Sequence, residues 1–153
     1  MKVSRVGLAI GAAVAMAAAA GGASAGSAGD AVMADVHQLI TQFNAHDAVA
    51  SVSHDAPDFV GMFHGTPNYI GPAGDLAVTK AQVADPVAKV VVSDEHVDAS
   101  GDLAVWRSTY AFTYTDPKTK TVTTEHGNWM LGYRLEPDKT WKVIWSSVSD
   151  TGS

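Results

Sequence analysis

The residues whose type and placement could support acid–base chemistry are His64 and Glu125. His64 closes an alternating run, Asp58–His64, immediately before Gly65. An imidazole titrates near neutral pH and acts as a general base when a partner tunes it. Glu125 stands beside His126 near the start of another strand-like run. Neighbours in a strand point to opposite faces, so this carboxylate and this imidazole cannot enter one cavity together. Plainer roles compete with chemistry at both positions: a surface histidine ahead of a turn, and a solvated charge at a strand start, with His126 and Asn128 on an outer face.

Other chemistries find less support. The six histidines show no pair four residues apart, no His-Glu-x-x-His and no cysteine partner, so neither a metal nor another cofactor is expected. Ser146, Ser147 and Ser149 lack the Gly-x-Ser-x-Gly setting of an activated serine. Arg107 and Arg134 could orient a ligand carboxylate, although cross-strand pairing with an acidic residue is the commoner fate of strand arginines.

The chain opens with an export signature. Lys2 and Arg5 precede an apolar run from Gly7 to Ala20, and Ala23-Ser24-Ala25 supplies small residues for cleavage. The expected organisation is a signal peptide over residues 1–25, a flexible linker over 26–30 and one domain over 31–150, in a periplasmic or secreted protein. No membrane association is expected after cleavage, because the apolar run is short and alanine-rich. Removing Lys2 and Arg5 takes the formal charge from −6 to about −8. Nucleic acid is therefore not an expected partner, since no basic stripe exists to displace its counterions. With no cysteine in the sequence, the domain must be held by its core.

Two kinds of element must position His64 and Glu125. Val32, Val36, Leu39, Ile40 and Phe43 recur at helical spacing, Asp47 can cap a second short helix, and Asp75–Ala84 has helical composition. Strand patterns cover Asp58–His64, a very short stretch at Tyr69 and Ile70, and Val87–Val97. Three longer runs follow, Leu103–Thr115, Thr121–Leu135 and Trp141–Ser149, joined by short turns that favour antiparallel pairing in sequence order. Helices first and a long sheet last make an α+β fold, a cone-shaped curved antiparallel sheet covered by N-terminal helices.

Phe43-Asn44-Ala45-His46-Asp47, then Asp55, Phe59–Gly65, Gly127-Asn128-Trp129, Tyr133-Arg134-Leu135 and Trp141-Lys142-Val143-Ile144 carry a resemblance. Together they resemble the landmarks of the nuclear transport factor 2-like superfamily, in its SnoaL-like and ketosteroid-isomerase-like branch, as a stand-alone exported member. These are fold landmarks, and the superfamily spans isomerases, cyclases, hydrolases, lyases and non-catalytic binders. Laid on the ketosteroid isomerase pattern, the helix-one, first-strand and penultimate-strand positions fall at Leu39, Met62 and Leu131. All three are apolar, which argues against that isomerisation. The resemblance implies a cavity. If Leu131 and Met62 face it, strand alternation adds Glu125, Gly127, Trp129 and Tyr133 from one strand and Val60 and His64 from the other. The expected ligand-contacting set is Leu39, Val60, Met62, Tyr69, Trp129, Leu131 and Trp145, with His64 and Glu125 as catalytic candidates.

Three functions follow as expectations. The first is an exported protein whose apolar cavity binds a small molecule. The second is a lyase, isomerase or hydrolase acting on a small apolar substrate. The third is a dimeric protein-interaction module presenting Trp106, Tyr110, Phe112 and Tyr114 on its sheet, and a homodimer through that face is expected.

Overall fold

The computed structural model describes residues 25–151. The expected signal peptide lies outside these residues apart from Ala25. Helix α1 spans Ala25–Asn44 and α2 Ala48–Val52, followed by strands β1 (Asp55–Phe63) and β2 (Tyr69–Ile70), helix α3 (Gly71–Val83), and strands β3 (Lys89–Ser100), β4 (Leu103–Thr115), β5 (Val122–Leu135) and β6 (Trp141–Asp150). Helix α1 runs back through residues 26–30, the stretch read as linker.

One six-stranded sheet runs in the order β2-β1-β6-β5-β4-β3. Strands β3 to β6 pair antiparallel in sequence order, as their short turns require. Strand β1 joins the far side parallel to β6, a pairing that the long excursion through α3 makes possible. Register shifts interrupt the ladders between Ser93 and His96 in β3, between Asp55 and Val60 in β1, and between Gly132 and Tyr133 in β5. Such bulges bend a strand and deepen its twist. The sheet is accordingly curved and open, and the α+β cone read from the sequence is the observed architecture.

The helices lie on the concave face. Val32, Val36, Leu39 and Ile40, one stripe of α1, are all buried against the sheet with Trp106, Leu131, Tyr133 and Val143. Asn44 ends that helix by donating from its side chain to the Val90 carbonyl and accepting from the Val90 amide, both at 2.9 Å. Its amide thus mimics one more rung of sheet at the start of β3. Asp47 caps α2 by accepting from the Ala50 amide at 2.9 Å.

Two expectations about faces are corrected. The aromatic face of Leu103–Thr115 is turned inward: Trp106 and Tyr110 are buried, and Phe112 packs edge-on against Phe43 of α1. Tyr110, Phe112 and Tyr114 line the cavity instead of an outer surface. Trp145 points outward because β6 carries an extra residue: Gly132 faces Trp145 while Tyr133 faces Val143, leaving Ile144 without an opposite number. Val143 and Ser146 are therefore the inward residues, and the Trp145 ring lies over Gly132 on the convex side.

Gly127 is required by close approach. A Cβ there would fall 2.0 Å from the Ser149 carbonyl oxygen and 2.7 Å from the Tyr110 ring. Gly127→Ala should therefore destabilise the fold by about 1–3 kcal/mol or more, as overpacking against backbone does. Urea unfolding checks this, and an unchanged midpoint would mean that the β5–β6 ladder yields freely.

Candidate functional site

The concave face encloses a cavity of about 210 Å³. An apolar cavity of about 150 Å³ accommodates a benzene ring, so this one takes a body of one ring or slightly more. Its wall is mainly carbon: Leu39 and Phe43 from α1, Phe59 and Phe63 from β1, Phe112 from β4, Trp129 and Leu131 from β5, Val143 and Val148 from β6. Trp129 is held by its indole N–H donating to Ser146 Oγ at 2.9 Å and by an edge-to-face contact with Trp106, ring centres 5.3 Å apart.

The structure brings together the two catalytic candidates, which are 61 residues apart in sequence. Strand β1 ends at Phe63, and the chain turns so that His64 swings to the cavity rim, where Nε2 lies 3.1 Å from Glu125 Oε1 and Nδ1 3.3 Å from Asp150 Oδ2. The Tyr110 hydroxyl also donates to Glu125 Oε1. Burial, reinforced by that carboxylate, pushes the Tyr110 hydroxyl well above its ordinary range, so it remains a proton donor. His64 and Asp150 are exposed and Glu125 is half-buried, which makes this end the mouth.

The inner end holds a second polar group that the sequence reading missed. Asp55, at the start of β1, and Asp75, on α3, both line the cavity, and Tyr69 stands beside Asp75. Burial first, and then the charge and hydrogen-bonding proximity of Asp75, push the Asp55 carboxyl up to about 8, against a smaller opposing pull from Lys142. Burial raises Asp75 as well, offset in part by its hydrogen-bonding neighbours Tyr69 and Asp55. These contacts are poorly aligned: Asp55 Oδ2 and the Tyr69 hydroxyl are buried without a partner in hydrogen-bonding geometry. One signal for the site was legible, since Asp75, Thr79 and Gln82 recur at helical spacing and all three face the cavity. Nothing in the sequence links that stripe to Asp55.

Leu39, Trp129 and Leu131 line the cavity, together with His64 and Glu125. Val60, Met62 and Trp145 do not. They lie on the convex face with Met130, Ile144 and Ser147, because Phe59, Gly61 and Phe63 are the inward residues of β1. Tyr69 sits on the concave side but behind the wall, stacked on Phe63 at 5.7 Å and lying over Gly61. Arg134 is engaged by Asp58 and Glu136, at 2.8 Å each. A separate buried network, His54 with Asp35 and Gln42 at 2.8 Å each and the Tyr133 hydroxyl donating to Asp35 at 3.0 Å, ties α1 to β5 and to the start of β1.

Among proteins of known structure, the fold recurs in a ketosteroid isomerase-like protein from Erwinia carotovora atroseptica, at 21% identity and TM-score 0.68, covering 81% of this chain and 96% of that one. It recurs in hexachlorocyclohexane dehydrochlorinase LinA-type3 from Novosphingobium barchaimii, at 13% identity and TM-score 0.71, covering 80% and 86%. A nuclear transport factor 2-like protein with a cystatin-like fold from Novosphingobium aromaticivorans matches at 17% identity and TM-score 0.67, covering 81% and 82%. No family model matches the sequence, and no curated protein matches it either. The chain has the nuclear transport factor 2-like fold.

Asp55 sets a pH dependence. The folded state holds its proton up to about pH 8, whereas an unfolded Asp releases it near pH ~4. Folding therefore binds a proton between these values, and this contribution is complete below the lower value and lost as pH rises through the upper one. Asp58, Asp85, Asp116 and Asp138 are shifted downward and act below that window. The urea midpoint should fall between pH 5 and 8, and Asp55→Asn should flatten the fall. Equal pH profiles in the two proteins would show that Asp55 is ionised throughout.

Proposed function

We propose that this chain binds a small, mainly apolar molecule in its cone. The single observation that carries the reading is the cavity of about 210 Å³ with a carbon wall and polar groups concentrated at its two ends, the usual form of a small-molecule site. The His64–Glu125 contact of 3.1 Å at the mouth favours a second reading, in which the same molecule is a substrate of lyase, isomerase or hydrolase chemistry. His64 would then take a proton while Glu125, held by Tyr110, balances the charge. A dehydrochlorinase among the structural neighbours is in keeping with elimination in such a cone.

Two further features belong to the same reading. Export to the periplasm or medium with cleavage near Ala25 is supported by the Lys2 to Ala25 pattern; protein confined to the cytoplasm would overturn export, and an intact N-terminus on exported protein would overturn cleavage. The apolar surface that Val60, Met62, Met130, Ile144 and Trp145 gather on the convex face supports homodimer association there. Met62→Asp should then give a monomer in sedimentation, and a wild type already monomeric at micromolar concentration removes the dimer.

A neutral naphthalene probe tests the binding reading. The wild type should take it up saturably, and Trp129→Ala should bind it about tenfold more weakly, the loss of one aromatic wall contact. If the wild type takes up no probe while Trp129→Ala costs about 3–5 kcal/mol of stability, the loss typical of a filled aromatic core, the cone is packed and the reading falls. For the catalytic reading, products formed from hydroxylated and halogenated alicyclic compounds should disappear in His64→Ala, and a variant that turns them over at the wild-type rate excludes His64 as the base.

A further inference from the structure

Resting on the cavity being a ligand site, we infer that its inner end is a subsite for a protonated amine: Asp55 and Asp75 receive the ammonium group while the apolar body of the ligand lies along Phe59, Leu131 and Val143. The first support is a set of buried polar atoms without partners. Asp55 is 9% exposed and lines the cavity, yet its Oδ2 has no hydrogen-bond partner, and the buried Tyr69 hydroxyl beside Asp75 has none. Buried polar groups are overwhelmingly partnered, so this end lacks a polar partner. Ser51 and Thr79, both buried, add hydroxyl oxygens to the same cavity. An ammonium carries three N–H donors and no acceptor.

The second support is the sign of the charge. The lining contains Asp55, Asp75 and Glu125 but no lysine or arginine. Lys142 acts on Asp55 from outside the lining and donates its own Nζ to the Ser53 carbonyl at 2.6 Å. Two polar groups near the pair are engaged elsewhere: His54 contacts Asp35 and Gln42, and the Tyr133 hydroxyl donates to Asp35. A carboxylate or phosphate would meet an acidic lining with no lysine or arginine to balance it, which disfavours anionic ligands. An uncharged alcohol could satisfy one acceptor. A cation satisfies the acceptors and supplies the missing counter-charge together.

The protonation balance follows. Without ligand, Asp55 holds a proton at neutral pH. The ammonium favours the carboxylate, so binding expels up to one proton from Asp55 to solvent while the ligand keeps its own charge. Affinity for the amine therefore rises with pH from 6 to about 8.5 and falls only when the amine itself deprotonates, near pH ~10.

Calorimetry on the full chain with cyclohexylamine, cyclohexanol and cyclohexanecarboxylate tests this, in two buffers of different ionisation enthalpy at pH 7. The expected result is at least tenfold tighter binding of the amine than of the alcohol, the carboxylate weakest, and net proton release with the amine alone. In Asp55→Asn or Asp75→Asn the ratio of amine to alcohol affinity should collapse to within about threefold. Should one of these isosteric variants fail to fold, the other and the proton release in wild type decide. Alcohol bound as tightly as amine overturns the inference and leaves the apolar cavity standing. Binding of none of the three overturns both. A preference for amine that survives both Asn variants but vanishes in Glu125→Gln would move the cation to the mouth and likewise overturn it.

Discussion

A curved sheet cannot be filled along its whole concave face by straight helices, and the rest of this structure depends on that mismatch. Helix α1 presses its apolar stripe onto β3 and β4, while α3 covers β1. Both elements are rigid at the scale of a side chain, so the space between them, over β5 and β6, is left to whatever side chains reach into it. Ridges of Val and Leu close most of it against Trp106, Tyr133 and Val143. Phe43 and Phe112 meet edge-on and line the cavity together with Trp129, and the cavity is the remainder.

The bulges that give the sheet its curvature also decide which chemistry enters that remainder. The extra residue at Ile144 turns Trp145 out and Ser146 in, and Ser146 then anchors the Trp129 indole as a flat wall. The irregular start of β1 leaves Asp55 under the helices instead of at a solvated strand end. The same curvature therefore produces both an apolar slot and an ionisable group at its base.

The two polar ends differ in physical character. At the mouth, Glu125 has His64 and Tyr110 as partners and water within reach, so charge there is balanced locally. At the base, two carboxyls share a buried volume with no cation in the wall, and their titration moves upward because neither solvent nor counter-charge stabilises the ionised form. The nuclear transport factor 2-like fold accommodates such differences easily, since its sheet and helices fix only the shape of the cone and the polar groups are grafted onto it. Met62, laid on the first-strand position of the ketosteroid isomerase pattern by sequence, lies on the convex face instead, and the groups capable of proton transfer occur at the mouth and base of the cone.

The sequence alone was enough for the α+β cone, because helical spacing in Val32–Phe43, period-two alternation in the last three strands and their short turns are local features that tertiary contacts reinforced. It was enough, too, for the inward face of β5, where Glu125, Gly127, Trp129, Leu131 and Tyr133 alternate without interruption. Only the tertiary structure decided the inward face of β1 and the orientation of Trp145, since alternation has two phases of equal local merit and a single bulged residue exchanges them. Only the tertiary structure, likewise, paired His64 with Glu125 and Asp55 with Asp75. Those partners lie 61 and about 20 residues apart, on elements whose approach is set by sheet order and helix packing, and no residue pattern along the chain records a distance across it.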